Sequence, residues 1–485
     1  MRNHRLEGRF FTGAPRSARQ AAEAVFAFLV ALHASAHAQT VHGDPRPPEP
    51  AVYVGAVAGP TQVPQRMATS SPQMMSRTPE WANDLIAKVR LAFANFACCS
   101  SGIDSGPRNA PGAVMTVTAS IEYPAGTCTP LSFAGEASGT APDGGILISD
   151  MSTLPTPIPR GAQFWVRQYT TASGGDRTPV DYDAGQLNAS AGERTAIGAS
   201  VNDYTVSCAP PASWTEPPDP RPRKPLAVLG PTQRPSICLI GDSAIYGQGD
   251  RRVGAYAPDT HYGYIDRWVG RAFGTINLGV SADSLRNTLL PGGYTNRGSL
   301  LQYCTHAIVN YGVSDINYFS ASAAQIEEKI SAFVRLLDSR RKIFWYYTTM
   351  YPRSSVPENI NQFYDSRPGG LAATQKEAQR QRFNSDLRAG LVTAVDAWLD
   401  PDTIAEQGPY TVNLPGRQSY PAYQGRFVTR TDTGYSEQVS SDGAHFNAAG
   451  TTLLDAVFSS AQGATPGVNN PSALFCRDKT GAYRC

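Results

Sequence analysis

The sequence predicts a two-part protein, an antiparallel β domain followed by an α/β domain. Three observations predict it. Met115, Val117, Ala119, Ile121 and Tyr123 alternate with Thr116, Thr118, Ser120 and Glu122, the period of two that gives a strand one apolar and one polar face. After about residue 235 the rhythm changes to short apolar runs alternating with helical patterns, the signature of a parallel sheet with crossover helices. Between the two lies a stretch punctuated by Pro210-Pro211, Pro217-Pro218 and Pro220-Arg221-Pro222, which reads as a stiff connector over 209–234. A chain of 485 residues is too long for one ordinary domain, so a division there is expected.

Residues 1–38 read as an export signal. Arginines at 2, 5, 9, 16 and 19 precede the apolar run Ala24–Leu32, and Ala36-His37-Ala38 offers a cleavage site. The run is shorter than the ~20 residues needed to span a bilayer. The expectation is a secreted or periplasmic protein with no stable membrane insertion after cleavage. Residues 39–80, rich in Pro, Gln, Ser and Thr without apolar periodicity, are expected to form a flexible spacer.

The stretch 81–208 is expected to be a β-sandwich accessory domain, jelly-roll-like. Besides Met115–Tyr123 it holds the candidate strands Ile146-Leu147-Ile148 and Gln163–Arg167, separated by Gly, Pro, Asp and Ser turns. Phe164 and Trp165 suit its core better than a sugar-binding platform. In the α/β part, 235–470, strands are expected near 236–241, 275–279, 306–312 and 342–348, and helices near 322–338 and 371–390. Ile326, Ile330, Phe333, Val334 and Leu337 form one helical stripe for packing on a sheet. Residues 471–485 remain as a C-terminal tail.

Forty-two basic against forty acidic residues leave a net charge of +2, which gives no electrostatic footprint for nucleic acid. Eight cysteines in an exported chain permit disulfides, but none shows Cys-x-x-Cys zinc spacing, so no metal is expected. Cys476 and Cys485 are the expected pair, and Cys238, inside an apolar run, is expected to be a buried free thiol.

The chemistry-bearing residues lie in the second part. The apolar run Ile237–Ile240 leads into Gly241-Asp242-Ser243, which places a serine where a strand turns toward a helix. In open α/β sheets ligands bind beyond the carboxyl ends of the strands, and a helix N-terminus offers N–H groups to developing negative charge. Alone, such a serine reads equally well as a helix cap. Of seven histidines, those at 4, 33, 37 and 42 fall in the leader or spacer, leaving His261, His306 and His445. His306 opens an apolar strand and His261 sits in a tyrosine-rich stretch, so both read as structural. His445 occurs in Ser441-Asp442-Gly443-Ala444-His445, where Asp442 is spaced to reach its Nδ1 on a turn, while Nε2 serves as base to a serine. Alone, this segment reads as a solvated Asp-Gly turn with a capping histidine.

Together these pieces resemble the SGNH (GDSL-like) hydrolase superfamily over about 235–470. Ile240-Gly241-Asp242-Ser243 is similar to its first block, Asn277-Leu278-Gly279-Val280-Ser281 to its second and Asp442-Gly443-Ala444-His445 to its last, in the family's order. Its third block, Gly-x-Asn-Asp, aligns with Gly312-Val313-Ser314-Asp315, where Ser314 replaces the asparagine that donates to the oxyanion. The resemblance implies a flavodoxin-like three-layer α/β/α fold and a triad of Ser243, Asp442 and His445. It implies an oxyanion hole from the Ser243 and Gly279 N–H groups, with Ser314 as provisional third donor. Loss of one such donor costs roughly 3 kcal/mol of transition-state stabilisation. Asn310 and Asn317 flank the block, but strand alternation and the register of the motif give neither a clear claim to substitute.

No cofactor is implied. The activity implied is that of a serine esterase acting on an acylated small molecule or carbohydrate, with short acyl groups such as acetyl favoured. A lipase-like esterase for longer chains, a catalytically weak glycan-binding surface protein and a structural surface protein are the alternatives.

Overall fold

Five strands of the second half form one parallel sheet, and each of the first four along the chain is a short apolar run followed by helical segments that carry the chain back to start the next strand in the same direction. In spatial order they are Gly274–Asn277, Ser236–Gly241, His306–Asn310, Phe344–Thr348 and Ala397–Leu399, so the sequence order across the sheet is 2-1-3-4-5. The order reverses between the first and third strands, which is where such sheets open a crevice. The computed structural model describes residues 51–68, 72–98, 107–109, 113–172, 178–180, 187–250 apart from 217, 220 and 222, 261, 263–338, 343–353 and 373–402. Beyond these it describes 406–407, 426–427, 429–430, 437–438, 445–446, 451, 454 and 475–476.

Alternate strand residues face opposite sides, and both sides are covered. Cys238, Ile240, Ala307, Val309, Trp345 and Tyr347 join a core with Ile326, Ile330 and Phe333 of the helix Ala323–Leu337. Ile237, Leu239, Ile308 and Tyr346 join a second core with Tyr264, Ile265 and Trp268 of the helix Tyr264–Val269. The helix Ala323–Leu337 starts at a capping box, in which Ser322 Oγ accepts from the Gln325 N–H at 3.3 Å and Gln325 Oε1 accepts from the Ser322 N–H at 2.9 Å. Both this helix and Ala373–Arg388 fall where the apolar pattern places them. The strand Ala397–Leu399 is too short for a periodic signal. Among the described residues no helix is long and apolar enough to cross a membrane.

Besides the short strand pairs Arg66–Ala68 with Thr178–Val180 and Phe96–Cys98 with Pro107–Asn109, the first half carries two larger antiparallel sheets. One is built on Ile86–Ala94, paired with Ala227–Thr232, Ile146–Ile148 and Ser152–Ile158, with Tyr53–Ala56 outermost. The other is centred on Gln163–Ala172, flanked by Met115–Glu122 and Gln73–Ala82. Val89, Leu91 and Phe93 from the first share a core with Val117, Ala119, Ile121, Phe164 and Val166 from the second. Trp165 is half-buried, with its Nε1 donating to Ala191 O at 2.8 Å and Arg77 covering its face at 4.0 Å.

Three expectations are corrected. The spacer expected over 39–80 contains four strands from Tyr53 onward, because its polar side chains meet buried hydrogen-bond partners instead of water. The connector expected over 209–234 ends in the strand Ala227–Thr232, whose Ala227, Val228 and Leu229 are fully buried between Tyr53–Ala56 and Ile86–Ala94. Cys238 is no free thiol: it is bonded to Cys304, at a Cα–Cα distance of 5.8 Å, tying the first strand of the parallel sheet to the turn before the third. A second disulfide joins Cys128 to Cys208. Cys476 is disulfide-bonded, and its expected partner Cys485 lies outside the described residues, as do the leader and 39–50. The described residues belong to one compact unit, Pro50–Cys485, in which the antiparallel sheets and the parallel sheet are built together.

A buried charge cluster stabilises the second antiparallel sheet. Glu122 accepts from Arg77 Nε and Nη2 at 2.7 and 2.9 Å, from Arg167 Nε at 2.7 Å and from the Gly126 N–H at 2.8 Å. Burial alone pushes this carboxyl up, but the two guanidiniums and the N–H outweigh it and hold it at about 2. Glu122→Gln therefore leaves two buried guanidiniums short of a counter-charge, and a loss of about 3–5 kcal/mol is expected at pH 7. Because the folded-state carboxyl is depressed, its stabilisation is present above the ordinary carboxylate range and is lost as pH falls toward 2. Denaturant titration across pH 7 to 3 should show the gap between wild type and variant narrowing with acid.

Candidate active site

The nucleophile candidate is set by a sharp turn at the end of the first parallel strand. A Cβ on Gly241 would lie 2.4 Å from both Asn310 O and Ile245 Cγ1, so only glycine allows the chain to bend there against the neighbouring strand. Asp242 then caps the short helix Ser243–Tyr246, its Oδ1 accepting from the Ala244 N–H at 3.0 Å. Ser243 is the first helical residue, is 8% exposed, and has an N–H that the helix cannot satisfy internally.

His445 meets it from the far end of the sequence. His445 Nε2 lies 2.8 Å from Ser243 Oγ, across a separation of 202 residues. Two contacts hold the histidine in place. Gly249, at φ +88°, lies so close that a Cβ there would stand 3.0 Å from His445 Cβ and 2.9 Å from Phe446 O. Phe446 is wedged between Tyr351 and Tyr264, with ring centroids 4.5 and 5.6 Å away. Asp442 lies outside the described residues.

The expected oxyanion donors are less well matched. The Gly279 N–H is given to Asn277 Oδ1 at 3.0 Å, and a Cβ on Gly279 would meet Tyr246 N at 2.5 Å. The glycine is thus needed for close packing on the C-terminal end of the Ser243 helix, and its N–H is committed to a side chain. Ser314 does come to the site, but its hydroxyl donates to Asp242 Oδ2 at 3.3 Å. A hydroxyl has one hydrogen, so while it bonds an ionised Asp242 it donates to nothing else.

Of the flanking asparagines, Asn310 is bound within the sheet, its Nδ2 donating to Tyr264 OH at 3.3 Å and to Thr348 Oγ1. Asn317, one helical turn after Ser314, is buried with neither amide atom hydrogen-bonded among the described residues. The other two described histidines are structural. His261 Nδ1 lies 3.0 Å from Asp266 Oδ2, and His306 Nδ1 lies 2.8 Å from Thr305 Oγ1, both in buried surroundings. Trp345, Tyr346, Tyr347 and Tyr351 are core residues.

Two features of the site had no signal in the sequence. One is the electrostatic position of Asp242, whose carboxyl burial pushes up to about 6, against hydrogen bonds from the Ala244 N–H and Ser314 and the charges of Arg353 and His445. The other is the set of polar residues at 61–65 that reach the loop after Asn277, hidden by a composition that reads as a spacer.

No protein-family model matches the sequence, and no curated protein matches it. Several of the solved structures with local likeness are described as esterases. Est24, a carbohydrate acetylesterase from Sinorhizobium meliloti, is 15% identical, with 46% of this chain and 95% of that one covered at a TM-score of 0.29. An active-site mutant of a family two carbohydrate esterase from Clostridium thermocellum, in complex with cellohexaose, is 12% identical over 84% of this chain and 95% of that one, at 0.28. A catalytic mutant of Axe2, an acetylxylan esterase from Geobacillus stearothermophilus, is 12% identical over 46% and 90%, at 0.27. At such scores the likenesses assign no role to any residue, and the roles rest on the contacts above.

The raised Asp242 carboxyl has a measurable consequence. Its folded-state value lies above its unfolded one, so the stability it contributes is full below about pH 4 and is lost as pH rises through about 6. The ionised form in the fold is disfavoured by roughly 3 kcal/mol. Asp242→Asn, which stays neutral and keeps a capping oxygen, is expected to raise the denaturation midpoint at pH 8 and to leave it near wild type at pH 4. An equal effect at both pH values would show that ionisation of Asp242 carries no such cost.

Proposed function

We propose that the chain is an exported serine esterase of the SGNH (GDSL-like) type that removes short acyl groups, acetyl foremost, from a carbohydrate. One observation carries the reading: Ser243 Oγ and His445 Nε2 stand 2.8 Å apart at the switch point of a parallel sheet, with Ser243 at a helix N-terminus. A nucleophile, its base and an N–H for the oxyanion are the minimum for acyl transfer.

In the reaction, Ser243 Oγ attacks the ester carbonyl as its proton passes to His445 Nε2, and the carbonyl oxygen becomes an oxyanion facing the Ser243 N–H. The tetrahedral intermediate collapses, the C–O bond to the alcohol breaks, and His445 returns the proton to the departing alkoxide. Water, deprotonated by His445, then attacks the acyl-enzyme and releases the acid and free Ser243. Asp442 is assigned the Nδ1 side of His445, where it fixes the tautomer. The architecture proposed is a flavodoxin-like three-layer domain with an N-terminal β-sandwich. Export to the periplasm or beyond follows from the leader, and the carbohydrate alcohol from the sequence resemblance.

The commitment of Gly279 and Ser314 elsewhere favours a second reading, a protein with this fold but slow turnover that binds acylated glycans. Hydrolysis of p-nitrophenyl esters of graded acyl length by the mature chain separates the two. Ser243→Ala and His445→Ala are each expected to lower kcat about 10³-fold or more with the circular dichroism unchanged, and Asp442→Ala by a comparable factor. A rate peaking at acetyl supports the acetylesterase and one rising with chain length the lipase-like alternative. Activity indifferent to Ser243 overturns the serine mechanism, and no hydrolysis with retained glycan binding moves the assignment to the binding protein.

A further inference from the structure

The parallel sheet ends at Gly274–Asn277, an edge strand that runs on as a loop directly beside the nucleophile. One side of this stretch is bonded to its neighbour: the Leu278 N–H donates to Leu239 O at 2.7 Å and the Val280 N–H to Gly241 O at 3.0 Å. The groups of the other side face away from the sheet, where a further strand would normally meet them. Here they meet side chains from the first half of the protein. Thr61 Oγ1 accepts from the Asn277 N–H at 3.1 Å and donates to Thr275 O at 3.2 Å. Gln65 Oε1 accepts from the Ser281 N–H at 2.9 Å, and Gln65 Nε2 donates to Gly279 O at 3.4 Å.

In a parallel ladder one residue's peptide groups serve the C=O of one neighbour and the N–H two positions on. Thr61 serves Thr275 and Asn277, and Gln65 serves Gly279 and Ser281, in the same pattern. The two side chains act as the peptide groups of an absent edge strand. All three polar side chains of the segment, Thr61, Gln62 and Gln65, are at most 1% exposed. Gln62 Nε2 reaches Tyr246 O, at the end of the Ser243 helix, at 3.5 Å. The segment's own backbone is anchored elsewhere in the first half, with the Gln62 N–H donating to Pro225 O just before the strand Ala227–Thr232 at 3.2 Å, the Gln65 N–H to Val180 O at 3.0 Å and the Cys98 N–H to Pro64 O at 2.8 Å.

We propose that Thr61–Gln65 is a splint by which the N-terminal sheets fix the active-site loop, and that Gln65 is a positioning residue for Ser243. The proposal rests on the serine-esterase reading for its kinetic consequence and on the structure alone for the splint. The path to the nucleophile is short. Gln65 holds Ser281, whose Oγ donates to Gln248 Oε1, and the Gln248 N–H donates to Ser243 O at 3.0 Å. The first half of the protein then supports the nucleophile at one remove, a role that needs no glycan.

Gln65→Met keeps the shape and removes both hydrogen bonds. The full mature chain carrying it is expected to show faster amide exchange over 278–284. Its kcat is expected to fall about 10- to 100-fold, as for a displaced catalytic group, with KM within about twofold, and a fluorophosphonate should label Ser243 more slowly. Gln65→Glu adds a readout that lost packing would not move. A protonated carboxyl accepts and donates as the amide does, whereas a carboxylate faces Gly279 O with no hydrogen. Its kcat relative to wild type at the same pH is therefore expected to fall as pH rises, while the ratio for Gln65→Met stays flat.

Unchanged exchange over 278–284 in Gln65→Met overturns the splint, and changed exchange with unchanged kcat and labelling overturns the positioning role. If Gln65→Met does not fold, Thr61→Val exchange over 275–281 and the pH dependence of the Gln65→Glu ratio decide in its place. A wild-type chain inert to esters and to fluorophosphonate overturns the esterase reading instead, and loop exchange still decides the splint.

Discussion

The bend at Gly241–Ser243 is the constraint on which the rest of the site depends. A strand buried on both faces has to end and a helix has to start within two residues, against the carbonyl of Asn310 in the next strand. Glycine makes the approach sterically possible, and Asp242 makes the helix start possible by taking the Ala244 N–H. What results is a serine whose N–H has no intrahelical partner and whose hydroxyl meets His445 at the reversal of strand order. Phe446, wedged between Tyr264 and Tyr351, brings His445 to that hydroxyl from residues far along the chain.

The α/β half was largely legible because its signals are local. Strands buried on both faces read as continuous apolar runs, and the helix Ala323–Leu337 announces itself by its apolar stripe. The meeting of Ser243 and His445 was legible for a different reason: a serine at the end of an apolar strand has few residue types to pair with, and only three histidines lie outside the expected leader and spacer. The side-chain commitments of Gly279 and Ser314 were not legible. They depend on Asn277 and Asp242 standing beside them in space, and the spacing of the motifs carries no information on which partner an N–H or hydroxyl meets.

The segment 53–82 shows most clearly where composition misleads. Low apolar content with Pro, Gln, Ser and Thr predicts that a segment cannot offset its ordering entropy by burying apolar surface. That inference assumes the polar side chains prefer water. Thr61, Gln62 and Gln65 instead find backbone groups that would themselves be orphaned, and an orphaned buried peptide group costs about as much as a lost hydrogen bond. The polar residues are therefore buried for the same reason that apolar ones are elsewhere: removing them exposes a larger penalty. Ala227–Thr232 was obscured in another way, by the prolines just before it, which mark a turn without showing that the chain re-enters a sheet.

The same sheets also show how an unfavourable site is tolerated. A buried Asp242 is held above its ordinary range, so at neutral pH the fold keeps a carboxylate where desolvation opposes it. Glu122, less deeply buried, is held below its ordinary range, and its partners differ too: two guanidiniums surround Glu122, whereas Asp242 has an N–H, a hydroxyl and more distant charges. A guanidinium as close to Asp242 as Arg77 is to Glu122 would relieve the strain on the carboxylate. The neutral side chains at 61–65 meet the loop after Asn277 in the opposite way, adding hydrogen bonds without adding charge.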